Sequence, residues 1–375
     1  MVKKKVVHIH SDIKFIYESN NFFCDNFENQ ILFLGDSMNY NGKHCNQIIY
    51  LKVTKKNIEK IIDLTNNADI VVLYNLDFLK SYIANRCSKD IKIIWRFFGQ
   101  ELYSKMNDFV YSPKTKKIIS IKNTSFFKNR LIAILIFMRN AITYKTTYDL
   151  EFSKAAFKRV DCFLGLSEKE YLFLKQHWPR LPNFIQVHVE INNIKNNNLN
   201  DTGKKNKVVI GNNRSPFNNH IDIIEELKKI DLTNLELISF FNYGGNGHYA
   251  SYIRNQAKDI PQLQLIEKML TLDEFNTIQE RVCALVINGY RQMAMGNIFI
   301  ALRNGIKVYL NIKNIMYHWL KDEGFVVFTT EDFLNDIKSN NTLLSKEDSV
   351  YNVNKIYEFE QNNNKDKFCE KIYLM

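Results

Sequence analysis

The chain has 375 residues and a formal net charge of +11, with 45% hydrophobic and 13% aromatic residues but only 13 glycines and 5 prolines. This is the composition of a folded chain long enough for two ordinary domains, and it excludes disordered, collagen-like and linker-dominated architectures. The six cysteines, Cys24, Cys45, Cys87, Cys162, Cys283 and Cys369, are dispersed without a C-x-x-C pair, which supports neither a zinc site nor a disulfide framework and fits a reducing cytoplasm.

The start MVKKKVVHIHSDIKF has the basic opening of a signal peptide but no apolar core, so KVVHIH reads as a first strand. Further strands are expected at QILFLGD, ADIVVLYNL, IKIIWRFFG, VDCFLGLS and NFIQVHVE. These runs are continuously apolar, as parallel strands covered on both faces are. Helix-period segments separate them, giving a βαβ series over an N-terminal Rossmann-like domain, residues 1–190.

Within that domain, residues 105–160 carry 12 Lys/Arg against 3 Asp/Glu, and they enclose FFKNRLIAILIFMRNAI, 126–142. No run of about 18 apolar residues occurs, so no bilayer span is expected. A basic, apolar, helix-length segment suits an anionic membrane surface. A core helix with a solvated basic rim is the competing reading. No zinc-finger spacing, RNP-type aromatic motif or basic recognition helix points to nucleic acid.

INNIKNNNLNDTGKKNK, 191–207, is polar and low in complexity and reads as a linker. The alternation then restarts over a C-terminal domain, 208–344. Its strands are expected at KVVIG, LELISFFNYG, LQLIEK, CALVING and IKVYLN, and Thr271 and Glu274 have capping-box spacing. A polar, helix-like tail, 345–375, ends the chain and is expected to pack back on the first domain. The fold class is therefore α/β, two Rossmann-like domains with parallel sheets facing across a cleft, which resembles the GT-B architecture.

Ligands of open parallel sheets sit beyond the carboxyl ends of strands, so the residues there are the site candidates. In the second domain Gly211 allows close approach, and Asn212, Asn213 and Ser215 offer uncharged or hydroxyl partners, although a polar turn with a helix cap explains the same residues. Tyr243 and Glu267 follow the next two strands. Gly296 and Asn297 open a helix whose free N–H groups suit a diphosphate, with Arg291 and Gln292 just upstream. The absence of G-x-G-x-x-G and P-loop motifs disfavours NAD enzymes and P-loop NTPases. In the first domain Ser11 and Asp12 follow strand one, where Asp12 can be a general base or a helix cap. Gly99, Glu101 and Tyr103 follow another strand in a setting suited to a saccharide. Trp95, His8 and His10 read as core, and no D-x-D or His/Asp cluster marks a metal site.

The motifs VVIGNNRSPFNNH, LIEKMLTLDEF, RQMAMGNIFIALRNGIKVYLN and FTTEDF, with HSDI and WRFFGQELY in the first half, resemble the 4-alpha-L-fucosyltransferase family, glycosyltransferase group 56. Its members transfer Fuc4NAc in enterobacterial common antigen synthesis. The resemblance implies a GT-B fold and transfer of a sugar from a dTDP-type nucleotide-diphosphate donor to a polyprenyl-diphosphate-linked saccharide; no cofactor or metal is expected. By matching positions, Gly211, Asn212, Glu267, Arg291, Gln292, Gly296 and Asn297 would hold the donor. Ser11, Asp12, Gly99, Glu101 and Tyr103 would lie on the acceptor side. The chain departs from the named members in placing Met293, Ala294 and Met295 before Gly296, where they have a second glycine. The expectation is a peripheral glycosyltransferase on the cytoplasmic face of a bacterial inner membrane, with Asp12 as base. A nucleotide-sugar epimerase of the same fold and a non-catalytic nucleotide-sugar-binding protein are the alternatives.

Overall fold

The computed structural model describes residues 2–121, 124–189, 206–245 and 247–375. Most of the expected linker, 191–205, lies outside the described residues. The chain divides into two units, the first made of Met1–Glu101, Asn129–Val189 and Asn363–Met375, the second of Leu102–Lys128 and Glu190–Asn362.

The first unit is built on seven parallel strands: β1 (Lys4–His10), β2 (Phe27–Leu34), β3 (Ile48–Leu51), β4 (Ile70–Tyr74), β5 (Lys92–Arg96), β6 (Cys162–Gly165) and β7 (Asn183–Gln186). Their order is β3-β2-β1-β4-β5-β6-β7. Chain order reverses direction between β1 and β4, which pair directly. All five residues of β4, IVVLY, are buried, as expected of a central strand covered on both faces. Each such aliphatic side chain stabilises the fold by roughly 1.5–3 kcal/mol. The edge strand β3 is not signalled by the sequence pattern, because IIYL is short and lies among turns.

The C-terminal helix Lys365–Tyr373 belongs to this unit and meets it through Phe368, edge-on to Phe22 at 5.3 Å, and through Cys369, whose thiol donates to the Asn21 carbonyl at 3.3 Å. The preceding helix, Lys346–Asn362, belongs to the second unit, where Phe359 stacks on Phe299.

The second unit has six parallel strands: β8 (Lys207–Ile210), β9 (Glu236–Phe240), β10 (Leu263–Ile266), β11 (Val282–Ile287), β12 (Lys307–Leu310) and β13 (Phe328–Thr329). Their order, β10-β9-β8-β11-β12-β13, is that of a dinucleotide-type Rossmann sheet with its switch point between β8 and β11. The capping box forms as its spacing predicts: the Thr271 amide donates to Glu274 Oε2 at 2.9 Å, and the Glu274 amide donates to Thr271 Oγ1 at 3.2 Å.

The segment 126–142 lies in the helix Thr124–Tyr144. Of its described side chains, Leu131, Ile134, Leu135, Ile136, Phe137, Met138 and Ile142 are between 46% and 75% exposed. That exposure rules out the core-helix reading for these residues. Leu131, Ile134, Leu135, Met138 and Ile142 share one stripe by their 3–4-residue spacing. Among the described residues no helix is long and apolar enough to cross a membrane.

Candidate functional site

In the second unit three strand-end loops meet around β8. Gly211 ends that strand at φ +68°, and a Cβ there would stand 2.7 Å from His220 Nε2 and 3.0 Å from Asn218 Oδ1. Only glycine lets the chain turn that close to the His220 ring. The Asn212 amide N–H donates to Asn218 Oδ1 at 3.3 Å, and its side-chain amide donates to the Tyr243 hydroxyl at 3.4 Å. The Arg214 N–H donates to the Tyr243 carbonyl at 2.9 Å, so the β8 and β9 loops are laced together. Asn212, Asn213, Ser215 and Tyr243, all expected from sequence, therefore form one cluster.

Much of the amide content serves the loop itself. Asn213 Oδ1 accepts from the Ser215 N–H at 2.8 Å and from Asn218 Nδ2 at 3.0 Å. Ser215 caps the short turn Pro216–Asn218. Asn219 is buried and holds two distant backbones: its Oδ1 accepts from the Ser112 N–H at 2.9 Å, and its Nδ2 donates to the Val110 carbonyl at 3.1 Å. Asn288, just after β11, donates to the Asn219 carbonyl at 3.1 Å and accepts from Asn311 at 2.7 Å. This chain of amides joins the ends of β8, β11 and β12, and it satisfies carbonyls and amides that burial would otherwise leave costly. Sequence pattern does not single out Asn288, Asn311 or Asn314, although each lies in a strand-end loop.

On the other side of the switch point, Asn314 Nδ2 donates to the carbonyls of Gly289 at 2.8 Å and Arg291 at 2.9 Å, fixing the β11 loop. Arg291 Nη1 donates to the Gln292 carbonyl at 2.7 Å, and its guanidinium carbon lies 4.5 Å from the centre of the Phe217 ring. The helix Met295–Arg303 follows. Its N-cap is Ala294 at φ 58°, which makes no side-chain capping bond. A Cβ at Gly296 would meet nothing within 4 Å, and Asn297 beside it is half-buried. The first turn of this helix thus presents backbone donors just past the loop that carries the Arg291 guanidinium, an arrangement suited to an anion. Glu267 follows β10, where both its oxygens accept from Arg254 at 2.8–2.9 Å; that pairing, with the Arg214 charge of the β8 loop, holds its carboxyl below the ordinary value.

In the first unit the switch point lies between β1 and β4. Ser11 and Asp12 follow β1 and are exposed. Asp12 Oδ1 accepts from the Lys14 N–H at 3.0 Å, so this carboxylate caps the helical turn Ile13–Phe22. The residue that draws the loops together is Lys80, 0% exposed and unmarked by any sequence signal. Its ammonium donates to Ser11 Oγ at 2.6 Å, Asn75 Oδ1 at 2.8 Å and Asp77 Oδ2 at 2.6 Å. A buried ammonium that spends all three donors in this way fixes the geometry around Ser11.

Gly99, at φ 97°, turns the chain after β5. Glu101 and Tyr103 are 6% and 0% exposed. Glu101 Oε1 accepts from Trp95 Nε1 at 3.1 Å, and burial raises its carboxyl above the ordinary value. Tyr103 falls in the second unit. Neither offers an open face, whereas Ser11 and Asp12 do. His8 and His10 are core groups, as expected: His8 Nε2 meets Asn29 Oδ1 at 2.8 Å, and His10 Nε2 meets Ser19 Oγ at 2.7 Å.

Neither a known protein family nor a curated protein matches the sequence. Solved structures do match the fold. Sucrose-phosphate synthase from Thermosynechococcus elongatus superposes with a TM-score of 0.65 at 8% identity, covering 99% of this chain and 97% of that one. HepE from Anabaena, solved in complex with UDP and glucose, gives 0.63 at 10% identity over 98% of both chains. A glycosyltransferase from Rickettsia africae gives 0.59 at 12% identity, over 100% of this chain and 98% of that one. The fold is that of the GT-B glycosyltransferases, with two parallel-sheet α/β units of seven and six strands.

Proposed function

We propose that the chain is a glycosyltransferase that holds a nucleotide-diphosphate sugar at the strand ends of the second unit and passes the sugar to a lipid-linked saccharide. The observation that carries this reading is the convergence at the β8–β11 switch point of the Gly211–Ser215 loop, Arg291 and the uncapped helix opened near Gly296. A diphosphate matches that surface: its charge suits the guanidinium and helix dipole, and its oxygens suit backbone N–H donors. The same donors would stabilise the negative charge that grows on the departing diphosphate. Gln292, Asn297, Asn212 and Tyr243 would contact the remainder of the donor. Structures of the same fold that hold UDP, HepE among them, support a nucleotide-sugar partner.

In the first unit Asp12 is the proposed base toward the acceptor hydroxyl, since it is the exposed carboxylate just past β1, beside Ser11. Gly99, Glu101 and Tyr103 would shape the acceptor side from within. The likeness of RQMAMGNIFIALRNG and WRFFGQELY to group 56 enzymes supports a dTDP-linked deoxyamino sugar of the Fuc4NAc type and a polyprenyl-diphosphate acceptor. The apolar stripe Leu131–Ile142, in a segment rich in Lys and Arg, supports peripheral docking on an anionic, cytoplasmic membrane face.

The purified chain, given a panel of dTDP- and UDP-sugars and membrane-extracted polyprenyl-linked saccharides, is expected to release nucleotide diphosphate only when acceptor is present. Interconversion of the donor without acceptor would assign an epimerase instead. In the same preparation the protein is expected to float with anionic vesicles at low salt, and a Leu135→Asp, Met138→Asp variant to remain at the bottom. Equal flotation of the variant would remove the docking role of this helix.

A further inference from the structure

The second unit is not made of the second half of the chain alone. Residues Leu102–Lys128 leave the first-half sequence and build into it. Ile118 joins the hydrophobic core formed by Val208, Ile221, Ile224 and Tyr249. Lys114 pairs with Glu225 at 2.6 Å, and Asn219 grips Val110 and Ser112 on either side of Tyr111. This grip places the Tyr111 ring on Phe217, with centroids 5.1 Å apart and planes 11° from parallel. Phe217 in turn lies under the Arg291 guanidinium at 4.5 Å. Burial raises the Tyr111 hydroxyl above its ordinary value, and the Arg291 charge works against that rise.

From this geometry we infer that Phe217 and Tyr111 are positioning residues of the donor site: together they form a platform that presets the Arg291 guanidinium for the diphosphate. The inference rests on the reading of Arg291 as a diphosphate ligand. An arginine side chain has many rotamers, and freezing it on ligand arrival opposes binding. A ring beneath the guanidinium and a carbonyl at Nη1 fix it beforehand, so the fork meets phosphate oxygens already aligned. Asn219 explains why the platform requires the first-half segment: its two bonds to 110–112 hold Tyr111 against Phe217.

The test is a double-substitution cycle on the full chain, read by titration calorimetry with UDP and with dTDP as probes. Arg291→Ala should weaken nucleotide binding by a hundredfold or so. Phe217→Leu, which keeps an apolar side chain but removes the ring, should weaken it about tenfold. In the Arg291→Ala background, Phe217→Leu should have no further effect, and Phe217→Tyr in the otherwise unaltered chain should keep wild-type affinity. A merely structural role would instead lower affinity by the same factor in both backgrounds. If Arg291→Ala weakens binding while Phe217→Leu does not, or if the two effects multiply, the platform is wrong and the diphosphate reading stands. If Arg291→Ala binds like wild type, the diphosphate reading itself fails. Should Phe217→Leu not fold, Tyr111→Leu measured in the same two backgrounds separates the same outcomes.

Discussion

Replacing Gly211 by alanine is expected to damage the second unit, while the same change at Gly296 should leave the fold intact and weaken nucleotide binding. At Gly211 two costs combine. The backbone sits at φ +68°, which costs an L-residue about 1–2 kcal/mol. The new methyl would also stand 2.7 Å from His220 Nε2 and 3.0 Å from Asn218 Oδ1. His220 is 2% exposed, and Asn218 is tied to Asn213, so neither can yield cheaply. A loss of about 2–4 kcal/mol is the sum, read as a shift in the urea midpoint followed through Trp319 of this unit. At Gly296 the methyl enters open space on the first turn of a helix. Alanine there should gain up to about 1 kcal/mol of stability from helix propensity. If a diphosphate approaches this turn, the same methyl stands in its way. Stability and affinity should therefore move in opposite directions at Gly296, and in the same direction at Gly211. Unchanged affinity in Gly296→Ala would take the ligand away from that helix.

Mild acid is expected to destabilise the first unit before the second. His8 and His10 are both wholly buried, and burial lowers His8 from 6.5 to about 4 and His10 well below its ordinary value. The His8 charge and the Lys80 ammonium further oppose protonation of His10. The sign follows from proton counting: below pH 6.5 the unfolded chain takes up protons that these folded rings refuse. Their contribution is complete above that pH and is lost as pH falls toward 4. At pH 5 His8 has given up about 2 kcal/mol, and His10 adds a loss of the same sign. In the second unit His220 alone, lowered to about 3 by burial, supplies about 2 kcal/mol of the same kind at pH 5. The raised carboxyl of Glu101 works the other way in the first unit, because it binds its proton more readily folded than unfolded. Urea midpoints at pH 8 and pH 5, followed at Trp95 for the first unit and Trp319 for the second, measure the difference. Replacing His10 by phenylalanine should reduce the first unit's pH dependence to the part that His8 leaves. A first-unit midpoint that stays level from pH 8 to pH 5 would contradict the role given to these rings.

The sheet architecture was legible because its signal is local. Runs such as IVVLY and VCALVI are apolar at every position, the pattern of a strand covered on both faces. Strand-end loops then follow from the order of elements, so Gly211, Arg291 and Gly296 could be named from spacing alone. Properties that depend on distant partners were not legible. Asn213 and Asn219 look alike in a sequence, yet one braces its own loop and the other reaches 107 residues back to Ser112. Lys80 has the helix-surface appearance of any lysine until Ser11, Asn75 and Asp77 close around it. Helix 124–144 was ambiguous for the same reason: an apolar stripe states that something must cover it, not what. The membership of 102–128 in the second unit was invisible because Ile118 gains its place only from strands that come far later in the chain.

Hydrogen–deuterium exchange of the full chain, with and without saturating dTDP or UDP, tests the donor assignment most directly. Slowed exchange at 211–219 and 289–297 is the expected result. Bound nucleotide that leaves both loops exchanging at their free rates would contradict the placement of the donor at the β8–β11 switch point.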